Sequence, residues 1–489
     1  MSGLRFAIQI VVALAITISY RLSPFHPLFF FPGPLSYRIS NLRMAHLLTT
    51  GLRHTTIQSL HRKYGKIVRI GPNSLSINSR SAVAPIYSSA KCLDRSSAYR
   101  FQPLPGDGLF FVLDRDTHHA RRSIWAKAFT TANLDSFQPI LNQRTTQLAE
   151  CLQRRSSTNK GFTDLSRCIE DWSFDFMGDF AFGPGNSFEL MWDGDPDNLV
   201  KNGKTATALF DIFGEVPWLL DILWYLPSTD SIKKLHSLSR QSLDRRKRLQ
   251  VSEYDKDLSS FLLDDEDQQE NLTDEERTMD LVFAIQAGSD TTANVLQYTF
   301  FYLIGHRDVY ARLTRELDEA FPDPADPLNF ETLAELPYLN AVINEGLRLG
   351  TPLSGLERIT PATGAIIDNI FIPSNTIVSV PAFTQQLDPS NFYPRPEEFL
   401  PDRWLIGGLE EDAVLEPNAI MSFSFGPYGC LGRALAMQEL RVVVARLLLD
   451  FNMNFVDGID VKAYAQGIRN IRTTFFPGPL LIRPESRRT

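Results

Sequence analysis

Cys430 stands in the run Phe423-x-x-Gly426-x-Tyr428-x-Cys430-x-Gly432, at the point where an irregular stretch over 386–429 gives way to apolar residues at helical spacing over 431–450. A thiol at the start of a helix meets unpaired backbone N–H groups and the positive end of the macrodipole, both of which favour the thiolate, the form that binds metal. Glycines at 426, 429 and 432 let the backbone approach a large planar ligand. On this chain's own composition the pattern arises by chance on the order of 0.001 times, so the competing reading, a buried structural cysteine beside a glycine turn, is the weaker one.

Three further groupings have chemical spacing. Ala287-Gly288-Ser289-Asp290-Thr291-Thr292 lies inside an apolar helical run over 275–304, where Gly and Thr are poor choices unless something compensates. Threonine hydroxyls can bond a carbonyl one turn back and open the helix groove, Gly288 withholds a side chain where a flat ligand would approach, and Asp290 can pass protons. Glu345 and Arg348 sit at i and i+3 on one helical face and precede Arg403 in a proline-rich stretch, a spacing that permits an ion pair. His118 and Arg122, at i and i+4, place two donors on one face and could clamp an anion.

Taken together, and in this order, these motifs resemble the cytochrome P-450 superfamily over about residues 32–483, in the fungal microsomal, biosynthetic branch. The resemblance implies a mainly α fold with small β-sheets, and haem b with Cys430 as the axial thiolate, which favours O–O cleavage. It implies that Phe423, Gly426, Tyr428 and Gly432 shape the haem loop, that His118, Arg122 and Arg358 contact the propionates, and that Asp290 and Thr291 deliver protons to bound O2. Glu345, Arg348 and Arg403 become a buried structural network behind the loop. The implied partners are a separate NADPH-cytochrome P-450 reductase, with a cytochrome b-type donor as a second electron source, and a lipophilic terpenoid, alkaloid or polyketide substrate. Its pocket walls fall at 101–111, 210–224, Ala284, Ala287 and 352–356. Two departures stand out: Tyr428 replaces a frequent arginine and supplies no charge, and Glu357 replaces a frequent proline. The alternatives are a haem-thiolate isomerase or dehydratase, which would have no need of the Asp290–Thr291 pair, and a non-catalytic haem sensor.

The elements that must position these residues are largely helices. Apolar residues recur at helical spacing over 136–154, 163–181, 275–304, 307–320, 334–349 and 431–450, and short alternating runs at 66–70, 74–78, 365–367 and 376–380 predict small strands. With 489 residues, 43% hydrophobic and 22% charged, the chain can bury a large core, and a net charge of -8 removes the basic field a nucleic-acid partner would need. No G-x-G-x-x-G follows a strand, so NADPH is expected to act only through the reductase, for which Lys127, Arg433 and Arg441 are docking candidates. The four cysteines have no C-x-x-C spacing, which suits reduced thiols facing the cytosol. Residues 1–23, uncharged over 6–20, read as a signal-anchor; 24–34, with four prolines, as a stiff spacer; and 35–489 as one haem-binding catalytic domain on the cytosolic face of the endoplasmic reticulum membrane. Asn271-Leu272-Thr273, a glycosylation pattern on the wrong side of that membrane, reads as a polar loop.

Overall fold

The computed structural model describes residues 2–489 except 90, 101–103, 105, 185–187, 250–255, 265–271, 324–325, 354, 477 and 488–489. Helices dominate: α1 Ser2–Leu22, α2 Arg53–Tyr64, α3 Arg115–Ala128, α4 Gln138–Thr158, α5 Leu165–Phe182, α6 Leu199–Phe213, α7 Asp230–Arg248, α8 Asp274–Gly305, α9 Arg307–Ala320, α10 Pro337–Leu349 and α11 Arg433–Asp450. The long ones follow the apolar periodicity to within a few residues. Helix α8, 32 residues and about 48 Å long, begins at a capping box in which Thr273 and Glu276 satisfy each other's backbone N–H groups. It is apolar on most faces because it is buried on most faces, crossing the main core against α5, α10 and α11. Ser173 and Ser289 exchange hydroxyl-to-carbonyl hydrogen bonds of 3.0 and 3.2 Å across the α5–α8 crossing.

A five-stranded sheet flanks the helices. Its strands are β1 Ile67–Gly71, β2 Ser74–Ile77, β3 Asp94–Arg95, β4 Arg358–Ile359 and β5 Ile377–Ser379, in the order β1-β2-β5-β4-β3. β2 and β5 are parallel and the other pairs antiparallel, in a register that sets Arg95 directly across from Arg358. A second sheet joins Phe451–Phe455, Leu481–Ser486 and Thr163–Asp164.

Helix α1 is exposed, and its stretch Leu4–Leu22 is 19 residues long with mean hydropathy 1.5, close to the length that crosses a membrane. It is longer than the uncharged run over 6–20 because the helix takes in both flanking ends. The proline-rich segment, expected as a stiff spacer, is packed onto the body. It folds into successive hydrogen-bonded turns, buries Leu28 and His26, and is held down by Arg69, whose backbone N–H donates to the Pro32 carbonyl (2.7 Å) and whose buried guanidinium donates to the carbonyls of Leu28 and Arg21 (both 3.3 Å). Proline fixes φ, which suits tight turns as well as extended spacers; burial of Leu28 and the bonds from Arg69 decide in favour of packing. Asn271 lies outside the described residues.

Candidate active site

The loop over 423–430 is closed by the Cys430 N–H donating to the Phe423 carbonyl (2.8 Å) and the Gly429 N–H to the Gly426 carbonyl (2.9 Å). Gly426 has φ +64°, and a Cβ there would overlap the Tyr87 carbonyl, so the turn requires glycine. A Cβ on Gly432 would stand 3.9 Å from Cys430 Sγ, so glycine keeps the space beside the sulfur open. Of the four thiols, three are buried in packed core, whereas Cys430 has accessible surface although protein surrounds it: the sulfur faces a cavity of about 220 Å³. Burial pushes its thiol up, against the Gly432 N–H, Arg122 and Arg433, which pull it down. The expected helix-start stabilisation of the thiolate is present, but without a metal desolvation outweighs it.

Helix α3 brings His118 and Arg122 to the same cavity, and Arg122 donates to the Gly429 carbonyl (2.8 Å), tying α3 to the cysteine loop. Arg358 lines it too, fully buried, with Nη1 donating to Tyr99 Oη and to the Glu357 carbonyl (both 3.0 Å) and with Nε and Nη2 unpartnered. Arg95 was not expected. It is buried opposite Arg358 in the β3–β4 pair, where like charges face to face are unfavourable. Tyr428 mediates between the two: their guanidinium carbons lie 4.8 and 4.9 Å from its ring centre, and its hydroxyl donates to Asp94 (3.2 Å). Burial and the three arginines push His118 down to about 3, so its imidazole is a neutral donor.

Glu345, Arg348 and Arg403 meet as expected in spacing and with more partners. Arg348 is bidentate to Glu345 (2.7 and 2.8 Å), Arg403 Nε stands 3.4 Å from the same carboxylate, and Trp404 Nε1 and the Leu400 N–H also donate to it (3.0 and 2.9 Å). All three charged side chains are sealed from solvent. Gln386 carries this network forward: its side-chain amide donates to the Arg348 carbonyl (2.6 Å) and its oxygen accepts the Met421 N–H (3.1 Å), two residues before Phe423.

On α8, Thr291 Oγ1 donates to the Ala287 carbonyl one turn back (2.7 Å) and lines the cavity of Cys430. Asp290 is buried behind it and accepts from Thr207 of α6 (3.2 Å) and from Gln286. Burial raises its carboxyl to about 6, with Lys204 pulling the other way. Lys204 pairs with Glu170, which Gln297 also contacts (3.1 Å), so a polar string runs from half-exposed Lys204 toward α8. Gly288 lines the cavity of Cys430, and a Cβ there would also meet the end of the Met177 side chain of α5.

A cytochrome P-450 family model matches residues 32–468. The chain belongs to the cytochrome P-450 family. It is similar to the cytochrome P-450 monooxygenase nodW of Hypoxylon pulicicidum (33% identity, covering 91% of this chain and 80% of that one). It is likewise similar to tryprostatin B 6-hydroxylase of Aspergillus fumigatus (31%, 94% and 80%) and to the cytochrome P-450 monooxygenase sthD of Phaeosphaeria nodorum (31%, 93% and 94%). It is thus a monooxygenase of the fungal biosynthetic type, and the isomerase and sensor alternatives fall away.

A P-450 holds haem through a cysteine thiolate, and the residues present fit that group. One sulfur faces the cavity, the only acid on its described wall is Glu439, and two opposed buried arginines, each with unpartnered N–H, call for an anion. Arg95 restores the charge that Tyr428 lacks. Sequence could not reveal it, because a lone arginine in an irregular stretch gains meaning only from its register with a residue 263 positions away.

Above this lies a second cavity of about 150 Å³, walled by Leu104, Phe110, Phe111, Phe210, Ala287 and Leu353 among others. The expected wall at 210–224 contributes only its beginning, Phe210 and Asp211, which line the cavity with the preceding Thr207, whereas Trp218 and Ile222 point to solvent. Residues 101–103 and 105 lie outside the described residues. The far end is charged, with Asp211, Glu357 and Arg472 on the wall, and Arg472 bridges Glu357 and Glu215 at 2.9 Å each, which gives the unusual Glu357 its partner. Arg441 is half-buried against Asn340 (2.8 Å), leaving Lys127 and Arg433 as the exposed basic residues of the three docking candidates.

Proposed function

We propose that this P-450 inserts one oxygen atom of O2 into a lipophilic small molecule of fungal secondary metabolism, with two electrons delivered singly from NADPH by a separate reductase docking near Lys127 and Arg433. The balance is one oxygen atom into the substrate C–H bond and the other leaving as water, for two electrons and two protons. Haem supplies the oxygen activation, assisted by the push of the Cys430 thiolate. Phe423, Gly426, Tyr428 and Gly432 shape the loop around that sulfur. Arg95, Arg122 and Arg358 provide charge for the propionates, and neutral His118 provides a hydrogen bond. Asp290, held near neutrality, passes protons along α8 to the Thr291 hydroxyl, and Glu345, Arg348 and Arg403 keep the cysteine loop in register through Gln386. The mostly apolar upper cavity binds the substrate body.

Support for membrane attachment comes from exposed, apolar α1 and from Trp218, Ile222, Tyr225 and Leu226, exposed on and just beyond the short helix Pro217–Leu223. The two regions are linked: Asn41 donates to the Glu215 carbonyl (3.0 Å). An endoplasmic reticulum anchor with the body in the cytosol is the corresponding location.

The observation that carries the reading is that Cys430 and Thr291 line one largely apolar cavity onto which Arg95, Arg122 and Arg358 also open. Its test is the carbon monoxide difference spectrum of the reduced full-length protein. A red-shifted thiolate Soret band is expected in the wild type, and Cys430→His should retain haem while losing that band. Nitrogen-type ligation in the wild type would refute the reading, and so would NADPH consumption with reductase that yields no oxygenated product across terpenoid, alkaloid and polyketide panels.

A further inference from the structure

Asp211 near the end of α6, Glu357 just before β4 and Arg472 near the C-terminus meet on the wall of the upper cavity, and none of them lines the cavity of Cys430. All three are buried. Behind them stand Glu215, just past α6, and Arg53 at the start of α2, buried as well. The cluster thus sets three acids against two arginines among the described residues, in an otherwise apolar enclosure where unbalanced charge is costly. Burial raises the Glu357 carboxyl, against the pull of Arg472 and Arg53 and with the push of Glu215, so the cluster favours keeping a proton in place of a third cation.

The bonds within this end show what it has left to offer a ligand. Arg472 spends both hydrogens of Nη2, one on Glu215 and one on Glu357 at 2.9 Å each, and its Nη1 is turned to Gly214, where a Cβ would stand 2.6 Å away. Asp211 Oδ2 accepts the backbone N–H groups of Arg472 and Thr473 (3.2 and 2.8 Å). The Ser96 hydroxyl reaches Glu357 Oε2 at 3.4 Å, long for such a bond. A carboxylate has about four acceptor sites, so the acids keep capacity while the guanidinium is committed to them. This end therefore suits a donor, and a cationic donor above a neutral one, because it completes the charge count. Aromatic faces line the approach, with Phe110 stacked on Phe283 at 4.3 Å and edge-on to Phe210 at 5.8 Å, a surface that an apolar body and an ammonium both tolerate. We infer that Glu357 and Asp211 are specificity-determining residues which select a lipophilic amine, its protonated nitrogen seated on their carboxylates and its apolar body lying along the phenylalanines toward Thr291. The inference deepens the reading of the upper cavity as the substrate site and rests on it.

The probes are a naphthylethyl dimethylamine, its neutral isopentylnaphthalene isostere and naphthylpropanoate, with the same head groups also carried on phenanthrene and decalin bodies. Each is titrated into the ferric, haem-loaded full-length protein, and occupancy is read from the blue shift of the Soret band. The amine should bind about ten- to a hundredfold more tightly than its isostere, as one charge-assisted hydrogen bond allows, with the acid weakest. Glu357→Gln should abolish most of that preference and Asp211→Asn should reduce it, both leaving the isostere's affinity in place. Raising the pH from about 6 to about 8 should tighten the amine alone, because the ammonium displaces the proton held by the cluster. Phe210→Ala should weaken amine and isostere alike.

Equal affinity of amine and isostere in the wild type would overturn the inference, as would preference for the acid, or a preference for the amine that survives both carboxylate variants. A red shift with the amine would also overturn it, since nitrogen on iron puts the head group at the wrong end. Where Glu357→Gln loses the isostere too, its cavity has collapsed, and Asp211→Asn with the wild-type pH series decides: a preference unchanged by both overturns the inference. In all of these the substrate-site reading stands. Isostere binding that is indifferent to Phe210→Ala, or no binding on any of the three bodies, removes that reading and this inference with it.

Discussion

Asp290 holds its proton more tightly in the folded chain than in the unfolded one, about 6 against an ordinary 3.8, because burial outweighs Lys204, Gln286 and Thr207. The stability this represents is fully present below pH 3.8 and is lost as pH rises through about 6. Above that, the folded state carries an ionised buried carboxylate at a cost of about 3 kcal/mol. Asp290→Asn removes the titration and keeps an oxygen to accept from Thr207 and Gln286. The variant should therefore be more stable than wild type by up to about 3 kcal/mol at pH 8, with the gap shrinking below about 1 kcal/mol near pH 4. Unfolding entropy scales with length, so for a chain of this size 1 kcal/mol moves Tm by about 1 °C, and the gap at pH 8 is about 3 °C. Following the thiolate carbon monoxide band against temperature in detergent from pH 4 to 8 measures this, while turnover with reductase should fall about 10²–10⁴-fold. An offset independent of pH, or an Asn variant less stable at pH 8, would refute the reasoning.

Arg95→Leu should make haem transfer to apomyoglobin faster, reflecting about 1.5–3 kcal/mol of lost charged hydrogen bonding. It should not stabilise the haem-free protein, because relief of about 0.2–1 kcal/mol in the cross-strand charge pair is outweighed by the lost bonds from Arg95 to the Leu109 and Val112 carbonyls (2.8 and 3.1 Å). Glu345→Ala strands two sealed guanidiniums and should cost about 3–5 kcal/mol, seen as loss of folded, haem-loaded protein on expression. Gly426→Ala forces a Cβ into the Tyr87 carbonyl at a positive φ and should cost about 1–3 kcal/mol, read as a larger fraction of the carbon monoxide complex lacking the thiolate band.

The long helices were legible because their apolar spacing is set by burial, and burial is what folded them: 275–304 became Asp274–Gly305 and 431–450 became Arg433–Asp450. The Cys430 loop was legible because its glycines answer to backbone geometry that the local sequence fixes. Charge partners across the fold were not. Arg95 acquires its place from strand register, Trp404 and Gln386 from how the proline-rich span wraps onto α10, and Glu439 from the approach of α11 to α8; none leaves a periodic trace. The packing of the segment 24–34 was not legible either: proline backbone properties are compatible with several roles, and the neighbour that holds the segment down, Arg69, is distant in sequence.

The grip of Arg69 on the turns after α1 also governs how the molecule can move. A limp tether would let the body roll over the bilayer and sample many tilts; here rolling would first have to break the bonds from Arg69 to Arg21, Leu28 and Pro32. On the proposed attachment the apolar helix would be a handle fixed to the sheet, holding the cavity at one height and inclination, so that an electron donor would come alongside a stationary target and a lipid-dissolved compound would meet the same side of the protein.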